Sequence, residues 1–330
     1  MDTKSTEFAI MSKSRVPYLS GLRYFYSVAR FGSFSAAAAA LAVAPSAVNR
    51  QVAALEERMG ERLFDRGRGR GGLQLTAVGT VLFSRMISVM NELTVADEEI
   101  NLLRGLHRGH IRLGVNEVVA TQMLPAILQD IHSRHPHLTF QITVQNSPII
   151  VQKLRDGDID VGLGYNIMQQ PDISFHEVAN HDSYVIAAVG DELTRHSRLT
   201  LQDLVGRRFI FPETSMALRR TLDVAIQQLG LSFEPFIETD NFTLLRKLVA
   251  SGLGISIVTG HLNPLLDEGL GYVRIDDPAF RFGTLCCCTL VGRTVSSASQ
   301  LFIDSARAAM SALDLAASGT PVEILPDEVT

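Results

Sequence analysis

A run of five alanines at residues 36–40, followed shortly by Pro45, constrains the fold of this 330-residue chain more than any other feature. Alanine is the best helix former and has a small side chain, so the helix predicted over 36–41 can pack close to its neighbours. Proline suits the first position of a helix, because its fixed backbone angle and missing N–H are tolerated there. The stretch predicts a thin helix, a tight turn and a second helix that begins at Pro45.

Along the second helix, apolar residues recur at the spacing of one helical face and predict a buried stripe: Val48, Val52, Leu55 and Met59. The opposite face carries small or polar residues: Ser46, Asn49, Arg50 and Ala53. Such a face fits the major groove of B-DNA, about 12 Å wide, where Asn pairs with adenine and Arg with guanine. The pattern predicts a helix-turn-helix, and an ordinary three-helix bundle is the alternative. Its predicted DNA-binding residues are Pro45, Ser46, Asn49 and Arg50.

Residues 63–76, LFDRGRGRGGLQLT, predict a two-stranded hairpin with a Gly/Arg tip, which is the wing of a winged helix. Next to a DNA-reading helix we expect its arginines to contact phosphates, whereas an Arg/Gly run elsewhere is a solvated loop. The predicted DNA-binding residues of this segment are Arg66, Arg68, Arg70 and Thr76. Thr76 also suits the cap of the helix that follows.

Charge is distributed unevenly along the chain, whose net charge is −5. Residues 18–75 carry a net +4, whereas residues 76–330 carry −10. A basic segment joined to an acidic remainder indicates that the amino-terminal part alone contacts a polyanion.

Residues 19–83 closely resemble the DNA-binding end of LysR-type transcriptional regulators. The matching residues are Phe25, Tyr26, Gly32, Ser33, Phe34, Ala37, Ala38, Leu41, Ala47, Val48, Arg50, Gln51, Leu55, Glu56, Gly60, Leu63, Phe64, Arg66, Leu75, Thr76 and Gly79. The resemblance extends over nearly the whole chain. It departs at Ala44, Pro45 and Asn49, where the family often has Ser, Gln and Ser, so it does not indicate an operator sequence.

The resemblance implies an α/β chain with an N-terminal winged helix-turn-helix, a long dimerisation helix and a two-lobed effector domain like a periplasmic binding protein. It implies a small-molecule effector between the lobes and a homodimer or homotetramer on a promoter operator in double-stranded DNA. RNA polymerase is a further expected partner. The rival hypothesis is a solute-binding or catalytic α/β protein with an incidental helical head. We find neither a secretory signal nor a catalytic constellation for it, and expect no enzyme.

A long helix follows the wing, and its apolar residues alternate at spacings of three and four: Val78, Leu82, Met86, Val89, Leu93, Ala96, Ile100 and Leu103. This spacing is typical of a coiled-coil seam and predicts pairing with a second chain. A helix packed on its own domain is the alternative. Residues 105–109 are the expected hinge into the next domain.

Strands and helices then alternate. Strands are predicted at 111–116, 139–145, 159–164, near 208–211, 234–239 and 254–258, and helices near 119–134, 148–156, 216–229 and 241–251. Strand–helix–strand units predict parallel sheets with right-handed crossovers. Two such sets give two lobes, and ligands of these folds bind at the carboxyl ends of the strands.

Small hydrogen-bonding side chains follow these strands, and several precede a helix whose free N–H groups would face the cleft. The predicted effector-binding residues are Asn116, Glu117, Val118, Asn146, Ser147, Tyr165, Thr214, Ser215, Arg219, Thr239 and Asn241. Each could instead be a helix cap, and Arg219 either binds a carboxylate or lies on a solvated helix face. The helix amino ends modestly favour an organic acid over a neutral metabolite, because Glu117 and Asp240 oppose an anion.

Two clusters suggest metal ligands but carry little support. His132, His135 and His137 straddle the helix end at Pro136, so their rings need not converge. Residues 286–288 are three cysteines in a predicted buried strand, where neighbours face opposite sides and cannot form one ligand set. We therefore expect neither a metal nor a cofactor.

The predicted domains are a disordered extension (1–17), the winged helix-turn-helix (18–76), the dimerisation helix (77–108), the effector domain (109–315) and a tail (316–330). The sequence has neither a membrane-length apolar segment nor the apolar stretch of a secretory signal. An odd number of adjacent cysteines indicates a reducing compartment. The chain is therefore predicted to be cytoplasmic, without a membrane partner.

Overall fold

The structure, a computed structural model, describes residues 17–65, 73–103, 109–260, 269–278, 280 and 282–319. The chain divides between Ile100 and Asn101 into two compact units. Each unit has its own hydrophobic core.

The N-terminal unit is built from helices and one short hairpin. Its elements are α1 (Pro17–Phe31), α2 (Phe34–Leu41), α3 (Pro45–Met59), β1 (Phe64–Asp65), β2 (Gln74–Leu75) and α4 (Ala77–Leu103). Gly32, with φ +68°, follows the end of α1, and the Ser33 hydroxyl caps α2 by accepting the N–H of Ala36 at 3.0 Å. The helix-turn-helix and the hairpin are thus present where the sequence predicts them.

The alanine-rich helix packs closely because its inward residues are small. Ala37 and Ala38 are fully buried and lie in one core with Phe25, Val48 and Val52. Leu55 of the predicted α3 stripe is also buried. Met59 is not, since 40% of its surface is exposed at the last residue of the helix.

In the C-terminal unit, the first lobe follows the predicted alternation of strands and helices. Its elements are β3 (Gly109–Val115), α5 (Glu117–Gln122), α6 (Leu124–Arg134), β4 (Leu138–Val144), α7 (Ser147–Arg155), β5 (Val161–Tyr165), the first part of β6 (Ile173–Ala188), β12 (Phe282–Leu290) and α10 (Ser297–Gly319). The single helix predicted over 119–134 is two helices separated at Met123. Pro125 explains the break, because it cannot donate within a continuing helix but suits the first turn of a new one.

The second lobe contains the rest of β6 and the elements that follow it. They are β7 (Arg198–Leu199), β8 (Phe209–Pro212), α8 (Ala217–Gln228), β9 (Pro235–Thr239), α9 (Phe242–Ala250), β10 (Ser256–Thr259) and β11 (Leu270–Ile275), with short 3₁₀ turns at Glu192–Arg195 and Leu201–Leu204. Parallel β8 and β9 join β10 through a parallel bridge between Phe209 and Ile255.

Strand β6 belongs to both lobes. Residues 173–182 pair antiparallel with β12, and residues 183–188 pair antiparallel with β10 and β11. The predicted parallel neighbours β3, β4 and β5 are parallel, but the sheet as a whole is mixed. The expectation of parallel sheets therefore holds for β3, β4 and β5 and for β8 and β9, but β10, β11 and β12 are antiparallel to β6, a strand that was not predicted.

Helix α10 covers the first lobe and was not predicted. Phe302, Ile303, Ala306 and Met310 are fully buried in the core of that lobe. The helix extends to Gly319, within the predicted tail 316–330, of which residues 320–330 lie outside the described part of the chain.

Candidate functional site

Helix α3 presents a polar, exposed face opposite its buried stripe. Pro45, Ser46 and Arg50 are exposed, and Asn49 is half-buried. The Asn49 side-chain N–H₂ donates to the Pro45 carbonyl oxygen at 3.1 Å. This bond uses one of the two N–H donors of the side chain and leaves its oxygen without a part in it, whereas Arg50 is exposed on the surface.

The hairpin that follows is fixed to α3 and α4 by side chains. The Glu56 carboxylate accepts the N–H groups of Leu63 at 2.8 Å and Phe64 at 3.2 Å. The Thr76 hydroxyl donates to the Arg62 carbonyl oxygen at 2.7 Å and accepts the Gly79 N–H at 3.0 Å, so the predicted cap is present. The three predicted phosphate contacts of the tip, Arg66, Arg68 and Arg70, lie outside the described residues.

Gly79 shows why this junction tolerates no side chain. A Cβ at this position would lie 2.0 Å from the Leu63 carbonyl oxygen, which is far inside any van der Waals contact. Glycine therefore allows α4 to begin directly against the hairpin.

The seam of α4 divides into two parts. Met86 is buried in the core of the N-terminal unit, and Val78 and Leu82 pack against the same core. Further along, Val89, Leu93, Ala96 and Ile100 are exposed, and the side chain of Leu103 is outside the described residues. The first part thus follows the alternative of packing on its own domain, and only the second part is available to another chain.

A cavity of about 240 Å³ lies between the two lobes of the C-terminal unit. The predicted effector residues that line it are Asn116, Glu117, Val118, Asn146, Ser147, Tyr165 and Ser215. Tyr165 is the last residue of β5, and the others follow the carboxyl ends of β3, β4 and β8, as expected for a ligand site in this type of fold.

Helix capping and cavity lining are combined in the same asparagines. The side-chain oxygens of Asn116 and Asn146 accept the N–H groups of Val119 and Ile149, each at 3.2 Å. Both asparagines are therefore helix caps, as the alternative proposed. Their oxygens are used in capping, so the groups that they can offer to a ligand are the side-chain N–H₂ groups. The Ser147 hydroxyl donates to the Tyr165 carbonyl oxygen at 2.7 Å, which fixes the start of α7 against β5.

Four predicted residues do not line the cavity: Thr214, Arg219, Thr239 and Asn241. The Thr214 hydroxyl donates to the Glu213 carboxylate at 2.7 Å on an exposed turn. Asn241 caps α9 by accepting the Leu244 N–H at 2.7 Å, and the Thr239 hydroxyl accepts the Asn241 N–H at 3.2 Å. These residues shape the turns next to the cavity.

Arg219 is held away from the cavity by its own lobe. Its guanidinium donates to Asp223 at 2.8 Å and to Glu238 at 2.5 Å. It also stacks over the Phe211 ring at 4.7 Å. Among the described residues that line the cavity there is no arginine, lysine or histidine, whereas Glu117 and Asp240 are acidic.

Several lining residues were not among the predicted effector-binding residues, although the same strand-end pattern could have indicated some of them, and Asp240 entered the prediction only as a group that opposes an anion. They are Val144, Gln145, Asn166, Met216, Ala217, Leu218, Asp240, Phe242, Val258 and Thr259. Asn166 directly follows β5 with φ +55°, a conformation that asparagine tolerates better than most residues, and its side-chain oxygen accepts the Thr284 N–H at 2.9 Å.

Two buried polar residues of β6 contact the hydroxyls of two residues that line the cavity. His181 Nδ1 lies 2.5 Å from the Tyr165 hydroxyl, and the hydroxyls of Ser183 and Thr259 are 2.9 Å apart. His181 and Ser183 share one face of the strand that joins the lobes. Sequence reasoning missed both because it did not predict β6.

The described residues contain no cluster of His, Cys, Asp or Glu that could hold a metal ion. Cys286, Cys287 and Cys288 are buried free thiols in β12. Burial raises the pKa of Cys286 to about 11 and that of Cys287 to about 12. In the part of the chain that is described, we find no helix long and apolar enough to cross a membrane.

A winged helix-turn-helix and a two-lobed α/β unit with a cavity between its lobes define a class of protein, the DNA-binding regulator with an effector-binding domain. Residues 19–80 match the model of the bacterial regulatory helix-turn-helix protein, lysR family, and residues 104–311 match the LysR substrate binding domain. The chain belongs to the LysR family of transcriptional regulators.

Individual relatives agree with this assignment. The uncharacterized HTH-type transcriptional regulator YybE of Bacillus subtilis is 29% identical over 72% of this chain and 80% of its own length. A full-length OxyR variant from Pseudomonas aeruginosa has a TM-score of 0.67 at 19% identity, covering 89% of this chain and 95% of that chain. The effector-binding domain of QuiR in complex with shikimate has a TM-score of 0.55 at 21% identity, covering 63% and 98%. At these identities the two structures show the fold.

Proposed function

We propose that this regulator binds a promoter operator through the exposed face of α3 and is controlled by a small metabolite in the cavity between its lobes. The observation that carries the proposal is the cavity itself, where three strand ends and the start of α8 bring hydrogen-bonding groups together. A volume of about 240 Å³ favours a small metabolite over a drug-sized ligand.

The effector that best fits the cavity is a small carboxylate with additional polar groups. Helix α8 starts at the cavity without a side-chain cap, and helix amino ends attract anions through their free N–H groups. The side-chain N–H₂ groups of Asn116 and Asn146 are further donors. Asp240 offers an acceptor for a hydroxyl or amine of the same molecule. Shikimate, which is bound in the QuiR structure, has this chemistry.

Binding is tested by calorimetry on the full chain with small hydroxy and amino carboxylates and their neutral amides. We expect the carboxylates to bind more tightly, because only they place a charge at the start of α8. Tighter binding of the amides would exclude the carboxylate.

Two variants then test the location of the effector. Tyr165→Phe removes the hydroxyl of a residue that lines the cavity and its bond to His181, and we expect it to weaken binding of the best ligand about 3- to 10-fold, as for the loss of one hydrogen bond. Thr214→Val is the matched control, because Thr214 is exposed on the neighbouring turn and does not line the cavity. If Thr214→Val weakens ligand binding and Tyr165→Phe does not, the effector binds elsewhere.

Assembly and location follow from DNA binding. The exposed part of the α4 seam supports pairing of two chains, which would bring two copies of α3 to one operator. A homotetramer and a contact with RNA polymerase are extensions of the same proposal, as is a cytoplasmic location, where the promoter DNA is. We propose that the chain acts by binding alone. Footprinting on the promoter beside its own gene, with and without the metabolites that bind, tests the regulatory function.

A further inference from the structure

Glu117 connects the two lobes across the edge of the cavity. It is the first residue of α5 in the first lobe, and its carboxylate accepts two backbone N–H groups from the first residues of α9 in the second lobe. Oε2 accepts the Phe242 N–H at 2.9 Å, and Oε1 accepts the Thr243 N–H at 2.9 Å. Oε1 also accepts the Thr243 hydroxyl at 2.6 Å. One side chain thus receives three hydrogen bonds from the opposite lobe.

These bonds complete the amino end of α9. The first four N–H groups of a helix have no partner within it and are met by caps, water or ligands. In α9, the Glu117 carboxylate accepts the first two of these N–H groups. The Asn241 side-chain oxygen accepts the Leu244 N–H at 2.7 Å, and the Asn241 carbonyl oxygen accepts the Leu245 N–H at 3.0 Å. The amino end of α9 therefore has no N–H group left for an effector.

The carboxylate is favoured at this position for an electrostatic reason. The amino end of a helix carries a partial positive charge that stabilises an anion close to it. Hydrogen bonds from N–H and O–H donors to a carboxylate are also stronger than those to neutral acceptors. The chain itself supplies here what an acidic ligand would supply in another protein.

We propose that Glu117 is a built-in ligand of the effector cavity, which joins the lobes and excludes the acidic group of an effector from the start of α9. The effector's acidic group is then directed to the start of α8, which has no side-chain cap. The position of the effector's acidic group rests on the proposed function, whereas the hydrogen bonds between the lobes do not depend on that function.

Hydrogen–deuterium exchange on the full chain without effector, resolved to single amides, tests the bond. In the unaltered protein we expect the amides of Phe242 and Thr243 to exchange at least about 10-fold more slowly than those of Ala217 and Leu218 at the start of α8. In Glu117→Ala the protection of Phe242 and Thr243 should be lost, and in Glu117→Gln it should be reduced, because an amide offers only one acceptor oxygen.

Acetate tests whether the position accepts an anion. In Glu117→Ala, acetate can occupy the vacated place of the side-chain carboxylate, so tens of millimolar acetate should restore slow exchange at Phe242 and Thr243. In the unaltered protein the same acetate should change nothing there. Glu213→Ala is the matched control, because Glu213 accepts the Ser215 N–H and the Thr214 hydroxyl within its own lobe. It should alter exchange at Ser215 only.

Any one of three results would overturn the proposal. Fast exchange of Phe242 and Thr243 in the unaltered protein, or unchanged exchange in both Glu117 variants, means that the bond does not exist in solution. Loss of protection that acetate fails to restore means that Glu117 acts only as a structural contact. Because these measurements need neither effector nor DNA, they stand or fail separately from the calorimetry.

Discussion

At the scale of single residues, the three adjacent cysteines are buried core residues, and their burial makes the thiols unreactive. Cys286 and Cys288 pack in one hydrophobic cluster of the first lobe, and Cys287 packs in another, on the opposite side of β12. Burial raises the pKa of all three thiols, since a thiolate would lose its hydration there. At neutral pH they therefore remain protonated, and the thiol is the form that reacts poorly.

This burial predicts a loss of stability in alkali. In the unfolded chain the thiols ionise near their ordinary pKa of about 9, but in the folded chain they stay protonated to about 11 and 12. The folded state then binds more protons, so the free energy of unfolding should fall as pH rises above about 9, by on the order of 1 kcal/mol per pH unit.

Urea unfolding at several pH values between 7.5 and 10.5 measures this slope. Cys287→Val keeps an apolar side chain in the core and should make the slope shallower. An equal slope in both proteins would contradict the assignment. As a second measurement, a thiol reagent at pH 8 should react slowly with the folded protein and rapidly with the unfolded one.

Individual site residues were predictable where they follow strand ends, but the direction of a long side chain was not. Asn116, Asn146 and Tyr165 line the cavity because the backbone places them there. Arg219 was equally well placed in sequence, yet Glu238 lies on a neighbouring strand and binds it. Asp223, four residues further along the same helix, also binds it, but helix periodicity carries no information about Glu238.

At the scale of elements, we predict that helix α3 contacts the base edges of the operator. We expect Arg50→Ala to weaken binding to the specific operator by about 1–3 kcal/mol and binding to random DNA much less, because it removes a base contact. Arg66→Ala, by comparison, should weaken both about equally and reduce the salt dependence, as expected for a phosphate contact. Binding titrations at several salt concentrations measure both.

Asn49→Ala should behave like Arg50→Ala, although part of its effect will reflect the lost bond to the Pro45 carbonyl oxygen. Circular dichroism of the variant separates the two, since a damaged helix would lose helical signal. Equal losses on operator and random DNA for both substitutions would contradict base reading by this face.

Several elements with a regular pattern were predicted close to their true bounds, whereas strand β6 and helix α10 were missed. The strands that end at the cavity are apolar runs between helices with clear stripes, and each lies within a few residues of its prediction. Strand β6 has sixteen residues, and polar side chains such as His181 and Ser183 are buried along it. Their burial depends on hydroxyls contributed by other strands, so the alternation that identifies a strand is lost.

At the scale of the whole molecule, the strand that joins the lobes is in direct contact with residues that line the cavity. Strand β6 passes from one lobe to the other, and its His181 and Ser183 contact the hydroxyls of Tyr165 and Thr259. An effector can change the arrangement of the lobes only if it binds one arrangement more tightly than another. Such a difference in affinity can arise at Tyr165 and Thr259, because each of them lines the cavity and contacts β6.

The proposed pairing of two chains depends on the exposed part of the α4 seam. If Val89, Leu93 and Ile100 pack against a second chain, Leu93→Asp buries a charge at the centre of that contact, which is strongly unfavourable. We expect the variant to be a monomer in analytical ultracentrifugation and to bind the operator at least about 10-fold more weakly, although α3 is unchanged. Val81→Asp is the matched control, because Val81 is a 64% exposed apolar residue of the same helix outside the seam. Its mass in solution should equal that of the unaltered protein. An unchanged mass for Leu93→Asp would show that the chains do not pair through this helix.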